Sequence, residues 1–345
     1  MITSLEQLQK KLNLTEEEKA WKESPQSLPV LITDYFFNLI DPSDPSDPLR
    51  KQCVPTCFEN MSDGLETPDP LAEVSHSNGE RLIHRYTNRV ALLTTDICAQ
   101  YCRHCFRRRF TGNMQGPISD LEISQACSYI SEHPEIREIL LTGGDVLTLS
   151  DSRLSHLISS LREVSPSLVI RICTRMAAVK PDRITDNLIN IFKSFKTAPF
   201  YLMTQFNHPR ELTPEAVAAV SRFVDAGIPA MNQTVLLRGV NDSADTLEEL
   251  CNGLISARIK PYYLFQGDLV TGTSCFRVPL AKGLEIEKEL RKRLSGLAMP
   301  VYAADLPEGG GKVPLCGSYI ERKEGNNWIF RTLDGSYRIY TDPQL

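Results

Sequence analysis

Cys98, Cys102 and Cys105 stand as C-x3-C-x2-C within the stretch CAQYCRHCF. Thiolates bind metals, but a closed structural zinc site takes four protein ligands, commonly two Cys pairs or Cys with His. No second pair lies nearby, and His104, between two of the cysteines, is expected to point away from a metal they share. A [4Fe–4S] cluster suits the spacing better, because its usual sites give one Cys to each of four irons. Three thiolates on one loop would leave one iron open to a ligand from outside the protein. An open position separates catalytic from structural zinc sites, and the same logic applies here. The plain alternative is a group of cysteines that share a loop or pack together.

A second chemical stretch is DLPEGGGKVPL, residues 305–315. A P-loop needs Ser or Thr after its Lys, and Val313 stands there instead. Two readings remain: a flexible loop, or a Lys312 that forms a Schiff base with pyridoxal phosphate while the glycines give the cofactor close access. In TGGDVL, residues 142–147, Gly143 and Gly144 would let backbone approach a ligand, and Asp145 could accept hydrogen bonds from an ammonium. Taken singly, Arg85, Arg89 and the run Arg107 to Arg109 read as solvated cations, and Asp268 and Asp305 as loop residues or caps. Asn232 and Gln233 read equally as cofactor contacts or as buried structural amides.

Such scattered groups need a scaffold that gathers them. From residue 90, short apolar runs recur at 90–95, 138–144, 168–174, 200–206, 230–237 and 261–267, with helical patterns between them. Buried parallel strands alternating with amphipathic helices predict an α/β fold, and about six such units suit an open or partial barrel. In such sheets ligands gather at the carboxyl ends of strands. Cys98 begins within three residues of the first run's end, and Gly143 and Gly144 close the second. Residues 1–80 differ, with helical spacing in TSLEQLQKKLNLTEEEKAW and LPVLITDYFFNLID followed by a connector dense in Pro, Asp and Ser. The expected organisation is a mainly helical N-terminal extension (1–80), a barrel carrying the motifs (81–315) and a short C-terminal extension (316–345).

The net charge of −5 gives no electrostatic case for a nucleic-acid surface. No stretch approaches the roughly 20 apolar residues of a membrane span. The opening MITSLEQLQKKLNL lacks the apolar core of a secretory signal. A cytoplasmic setting is expected, where the ten cysteines serve as ligands, nucleophiles or small hydrophobes rather than as disulfides.

A C-x3-C-x2-C after the first strand of such a barrel resembles the radical S-adenosylmethionine superfamily. The resemblance implies that the open iron chelates the amino and carboxylate groups of S-adenosylmethionine, which is then cleaved to a 5′-deoxyadenosyl radical. It also puts Gly143, Gly144 and Asp145 beside the methionine amino group. TDICAQYCRHCFRRRFTG, NQTVLLRGVND, PYYLFQGDL and DLPEGGGKVP are, in order and spacing, similar to the lysine 2,3-aminomutase family over roughly residues 80–315. The implied fold is a partial (β/α)6 radical-SAM barrel.

The implied roles give Lys312 the pyridoxal phosphate, with Arg85 and Arg89 of HRYTNRV serving that cofactor and Gln233 as a further polar contact. Arg107 would pair with the substrate α-carboxylate, which its planar fork suits better than Lys would. Asp268 and Asp305 would grip a substrate ε-ammonium, favouring lysine over glutamate. The implied reaction interconverts L-lysine and β-lysine, with an electron donor such as flavodoxin or ferredoxin.

Two departures stand out. Larger family members carry a zinc site between subunits, using a Cys just after GVND and a Cys-rich tail. Here Ser243 takes that position and no cysteine follows Cys316, so no such zinc is expected and the oligomer it supports is left open. The short chain also resembles a branch that makes β-lysine for translation elongation factor P, so that pathway and free-lysine metabolism both stay open. Two alternatives are a mutase for another amino acid, such as glutamate, and a non-catalytic iron–sulfur protein.

Overall fold

Each of the six apolar runs becomes a strand in the computed structural model, which describes residues 1–24, 27–61, 64–113 and 115–343. The main sheet has ten strands in sequence order: β1 (Ser77–Asn78), β2 (Leu82–Tyr86), β3 (Arg89–Thr95), β4 (Glu138–Gly143), β5 (Val169–Thr174), β6 (Phe200–Thr204), β7 (Ala230–Val235), β8 (Ile259–Phe265), β9 (Val301–Leu306) and β10 (Gly311–Pro314). Strands β3 to β9 run parallel. β1 and β2 add antiparallel strands at one edge, and β10 adds one at the other. β3 to β8 are each followed by a helix, giving the six expected β/α units, and β9 is a further parallel strand. The sheet begins at β1 and ends at β10 without the two pairing, so the barrel stays open.

The helices start where the sequence supplies a side-chain acceptor for the free N–H groups of the first turn. Ser119 forms a capping box with Glu122 ahead of helix Asp120–Glu132. Thr185 and Thr213 cap Asp186–Ser194 and Pro214–Asp225. Ser243, at the position where relatives with the intersubunit zinc were expected to differ, caps Ala244–Ser256 through the Thr246 N–H. Strand parity then divides the side chains. Ile139 and Leu141 are fully buried beneath the helices, while Leu140 and Thr142 face the barrel interior.

The N-terminal run folds as short helices (Leu5–Gln9, Glu16–Lys19, Asp34–Phe37 and Pro48–Cys53) rather than two long ones. Thr15 is the reason for the first break, since its capping box with Glu18 starts a new helix inside the periodic stretch. Ile2, Leu8, Trp21, Ile32, Phe36 and Leu49 from this segment are buried in the same core as the barrel. At the other end, β11 (Ile320–Glu324), β12 (Asn327–Arg331) and β13 (Tyr337–Thr341) form a separate antiparallel sheet. Its polar-apolar alternation was not singled out in the sequence. Among the described residues no helix is long and apolar enough to cross a membrane.

Candidate functional site

A cavity of about 500 Å³ opens at the carboxyl ends of the parallel strands. Alternate residues of several strands reach it, among them Arg171 and Cys173 from β5, Gln233 and Val235 from β7, and Tyr263 and Phe265 from β8. Cys98, Cys102, Cys105, Arg85, Arg89 and Arg107 line it, as do Gly143, Gly144, Asp145, Asp268, Asp305 and Lys312. The fold therefore gathers into one space groups as far apart in sequence as Arg85 and Lys312. Asn232 is not among them. It is fully buried, accepts from Thr204 and the Phe206 N–H, and donates to the Phe206 carbonyl and Thr234, all within the sheet ends.

The three-cysteine loop is pinned from several sides. The Tyr101 N–H donates to the Leu31 carbonyl at 3.2 Å and the Arg103 N–H to the Gln52 carbonyl at 2.9 Å. Arg103 is fully buried and forks onto Glu59 at 2.8 and 2.6 Å, with Arg108 adding a third donor at 2.9 Å. Arg175, just past β5, donates to Cys102 Sγ at 2.7 Å and to Gln52 and Glu211 at 2.7 and 3.0 Å. Burial, then neighbouring Asp145 and Cys105, pushes the Cys98 thiol well above its ordinary value, and burial also raises Cys105. Both thiols are protonated in the metal-free chain, so iron loading must release protons.

Among the described residues no three His, Cys, Asp or Glu side chains converge to hold a single metal ion. A cubane asks for something else, namely thiolates spread over different irons. The wall around the thiols has unmet donors that sulfide or thiolate sulfur would satisfy: Gln100 Nε2, His104 Nδ1 and Arg175 Nε are buried without partners, as is the acceptor Gln100 Oε1. The donor set fits an iron–sulfur cluster. His104 lines the cavity, with Nε2 3.3 Å from Asn207. Burial, reinforced by Arg175, holds it neutral.

The Gly143–Gly144–Asp145 turn lines the cavity and also has contacts within the fold. A Cβ on Gly144 would sit 2.2 Å from the Ile97 carbonyl oxygen, and one on Gly143 2.4 Å from that of Thr95. The close approach the glycines allow is thus to the backbone that leads into Cys98. Asp145 is partly engaged within the fold. Its oxygens accept from Thr174 at 2.7 Å, the Leu147 N–H at 3.0 Å and the Arg175 N–H at 2.8 Å, which uses most of a carboxylate's acceptor capacity.

DLPEGGGKVPL is a hairpin rather than a loose loop. Asp305 on β9 and Lys312 on β10 are cross-strand partners, and the Lys312 ammonium bonds the Asp305 carboxylate. The turn needs Gly311, whose φ is 87°. Arg85 Nη2 also reaches Asp305, at 3.2 Å. The Lys312 Nζ lies 4.1 Å from the ring centre of Phe265, which stacks on Tyr263. Tyr86 accepts from the Lys312 N–H at 3.1 Å and carries Arg89 3.7 Å above its ring centre. Burial lowers the Lys312 ammonium below its ordinary value, against the pull of Asp305. A reactive amine, an aromatic ledge and the cations Arg85, Arg89 and Arg171 fit an aldehyde cofactor bearing a phosphate. Among the described residues no cation bonds Asp268 directly; burial, then Asp305, raises it to about 7, against the pull of Lys312 and Arg85.

Arg107 is already engaged. Its Nε and Nη2 fork onto Glu73 at 3.2 and 2.6 Å, and Nη1 donates to Thr142 at 3.0 Å. Burial would push Glu73 up, but Arg107 and Arg109 hold it below the ordinary carboxylate range. Glu73 was not singled out in the sequence, because it sits in the connector without pattern or motif. Arg175 and Tyr86 had signals: one follows a strand run, the other lies inside HRYTNRV.

Comparison with known proteins adds an independent line. The Radical SAM superfamily model matches residues 92–251, and the Lysine-2,3-aminomutase model matches residues 286–345. An L-lysine 2,3-aminomutase of Clostridium subterminale is 43% identical over 343 residues, covering 99% of this chain and 82% of that protein. One from Bacillus subtilis (strain 168) is 40% identical, with 99% and 73% covered. A glutamate 2,3-aminomutase of Clostridioides difficile (strain 630) is 39% identical, with 97% and 79% covered.

Proposed function

The chain belongs to the lysine 2,3-aminomutase family of radical S-adenosylmethionine isomerases, and from that premise we propose that it moves the amino group of L-lysine between C2 and C3. The observation that carries the choice of lysine is the pair Asp268 and Asp305, two carboxylates facing one buried cavity beside Lys312. Asp268 is raised to about 7 by burial and by Asp305, against the pull of Lys312 and Arg85, so a further cation beside it would favour its ionised form. A substrate ε-ammonium would satisfy both carboxylates, whereas a glutamate side chain would add a third negative charge.

Cys98, Cys102 and Cys105 would hold the cluster, Arg85, Arg89 and Arg171 the anionic parts of pyridoxal phosphate, and Lys312 its aldehyde carbon. With S-adenosylmethionine on the open iron and an electron from an external donor, the cluster would supply a carbon radical able to take a hydrogen atom, and pyridoxal phosphate a conjugated ring that steadies the migrating nitrogen. The protein's own work is placement. Asp268 and Asp305 fix the far end of the substrate, and Arg107, held flat by Glu73, offers its remaining N–H bonds to the α-carboxylate. The Phe265 and Tyr263 ledge keeps water from the reacting carbons. Lys312, whose proton affinity burial lowers, would hold the cofactor through its side-chain amine.

The product would feed free-lysine metabolism or attachment to elongation factor P, and separating (R)- from (S)-β-lysine distinguishes the two. The test is anaerobic incubation of the reconstituted enzyme with lysine or glutamate in parallel. β-Lysine with lysine alone supports the reading, and β-glutamate as the main product would replace it.

A further inference from the structure

Gln100 sits midway between Cys98 and Cys102 on the cluster loop and lines the cavity with them. It is only 3% exposed. Among the described residues it is the one side chain with both a donor and an acceptor buried and unpartnered. Its neighbours in the loop are accounted for: Tyr101 and Arg103 spend their N–H groups on Leu31 and Gln52, and Cys105 N–H donates to the Cys102 carbonyl. Cys102 Sγ already has Arg175. Buried amides go unpaired only when something else satisfies them, and the space this amide faces is bounded by three thiols.

Resting on the radical S-adenosylmethionine reading, we infer that the Gln100 side-chain amide donates a hydrogen bond to a sulfur of the bound cluster and tunes its reduction potential. Sulfide and thiolate sulfurs are acceptors, so the Nε2–H is the group they complement. A donor at a cluster sulfur stabilises the more negative, reduced state, and hydrogen bonds of this kind are among the main controls of cluster potential. Gln100 is a positioning and tuning residue by this account. It supplies no ligand and carries no electron, and it makes the cluster easier to reduce.

The test compares wild type with Gln100→Met, which keeps length and bulk but removes the donor. Both proteins are loaded with iron and sulfide, and the midpoint of the cluster is measured by redox titration followed by electron paramagnetic resonance, without S-adenosylmethionine. The expected result is a more negative midpoint in the variant at equal iron content. An unchanged or more positive midpoint overturns the inference. If the variant takes up no iron, an anaerobic crystal structure of the loaded wild type decides: Nε2 within hydrogen-bond reach of a cluster sulfur supports the inference, and Nε2 bonded elsewhere overturns it. A wild-type chain that assembles no cluster removes both this inference and the reading beneath it.

Discussion

Lys312 lies across the β9–β10 ladder from Asp305, so the chain brings its own ε-ammonium to a carboxylate proposed to meet the substrate's. The two ammonium groups compete, and Asp305→Asn should move two measurements in opposite directions. Loss of a charge-assisted bond should weaken lysine binding by about 10- to 100-fold. Asp305 also raises the proton affinity of Lys312, so the same variant should link pyridoxal phosphate faster near neutral pH, read from the growth of its absorption band. Lys312→Ala should abolish that band and the activity together. Asp268 sets the pH dependence. With its pKa at about 7 in the free site, it is neutral below that pH and ionised above. Lysine KM should therefore fall about tenfold per pH unit on approaching 7 from below and level off above, while Asp268→Asn should give a flat, uniformly high KM.

At the scale of elements, the cluster loop is held by neighbours that cannot yield. Gly144→Ala would drive a Cβ to 2.2 Å from the Ile97 carbonyl oxygen and 2.7 Å from its carbon, and both are backbone. The expected cost is about 1–3 kcal/mol and a marked loss of iron uptake, measured by denaturant unfolding and iron content. Gly296→Ala, with nothing within 4 Å, is the control and should change neither. Glu59 is 3% exposed and faces the fully buried Arg103, so Glu59→Gln should cost about 3–5 kcal/mol and deplete iron in the same assay. The strands that carry the site were legible because apolar β-favouring runs alternate with helical periods from residue 90 onward. Their parity was not, since LVIRICT and PYYLFQG carry apolar residues on both faces and only the fold shows that Cys173 and Phe265 point inward. The Gly-rich hairpin was read for its lysine but not for β10, because glycines that serve a turn look the same as glycines in a loop. Glu59, Glu73 and Gln52 were out of reach for a different reason. They act through partners dozens of residues away, and no local spacing marks them.

Across the whole molecule, the N-terminal eighty residues do more than precede the barrel. Their apolar side chains join its core, their Gln52 and Glu73 reach Arg175 and Arg107 at the cavity wall, and their Glu59 holds the buried Arg103 of the cluster loop. The cysteine motif, the lysine hairpin and the two aspartates were readable as separate signals; that they face one cavity is a property of the open, partial barrel. Family membership fixes the reaction class, and the proposal of lysine within it rests on Asp268 and Asp305. The most direct test follows the nitrogen itself. The reconstituted, reduced enzyme is given L-lysine labelled with nitrogen-15 at the α-amino group and carbon-13 at C3, and the products are read by nuclear magnetic resonance. A new one-bond coupling between the labelled nitrogen and C3, dependent on S-adenosylmethionine and pyridoxal phosphate, is the expected result. Unchanged lysine from a protein carrying its full cluster and pyridoxal phosphate would contradict the account.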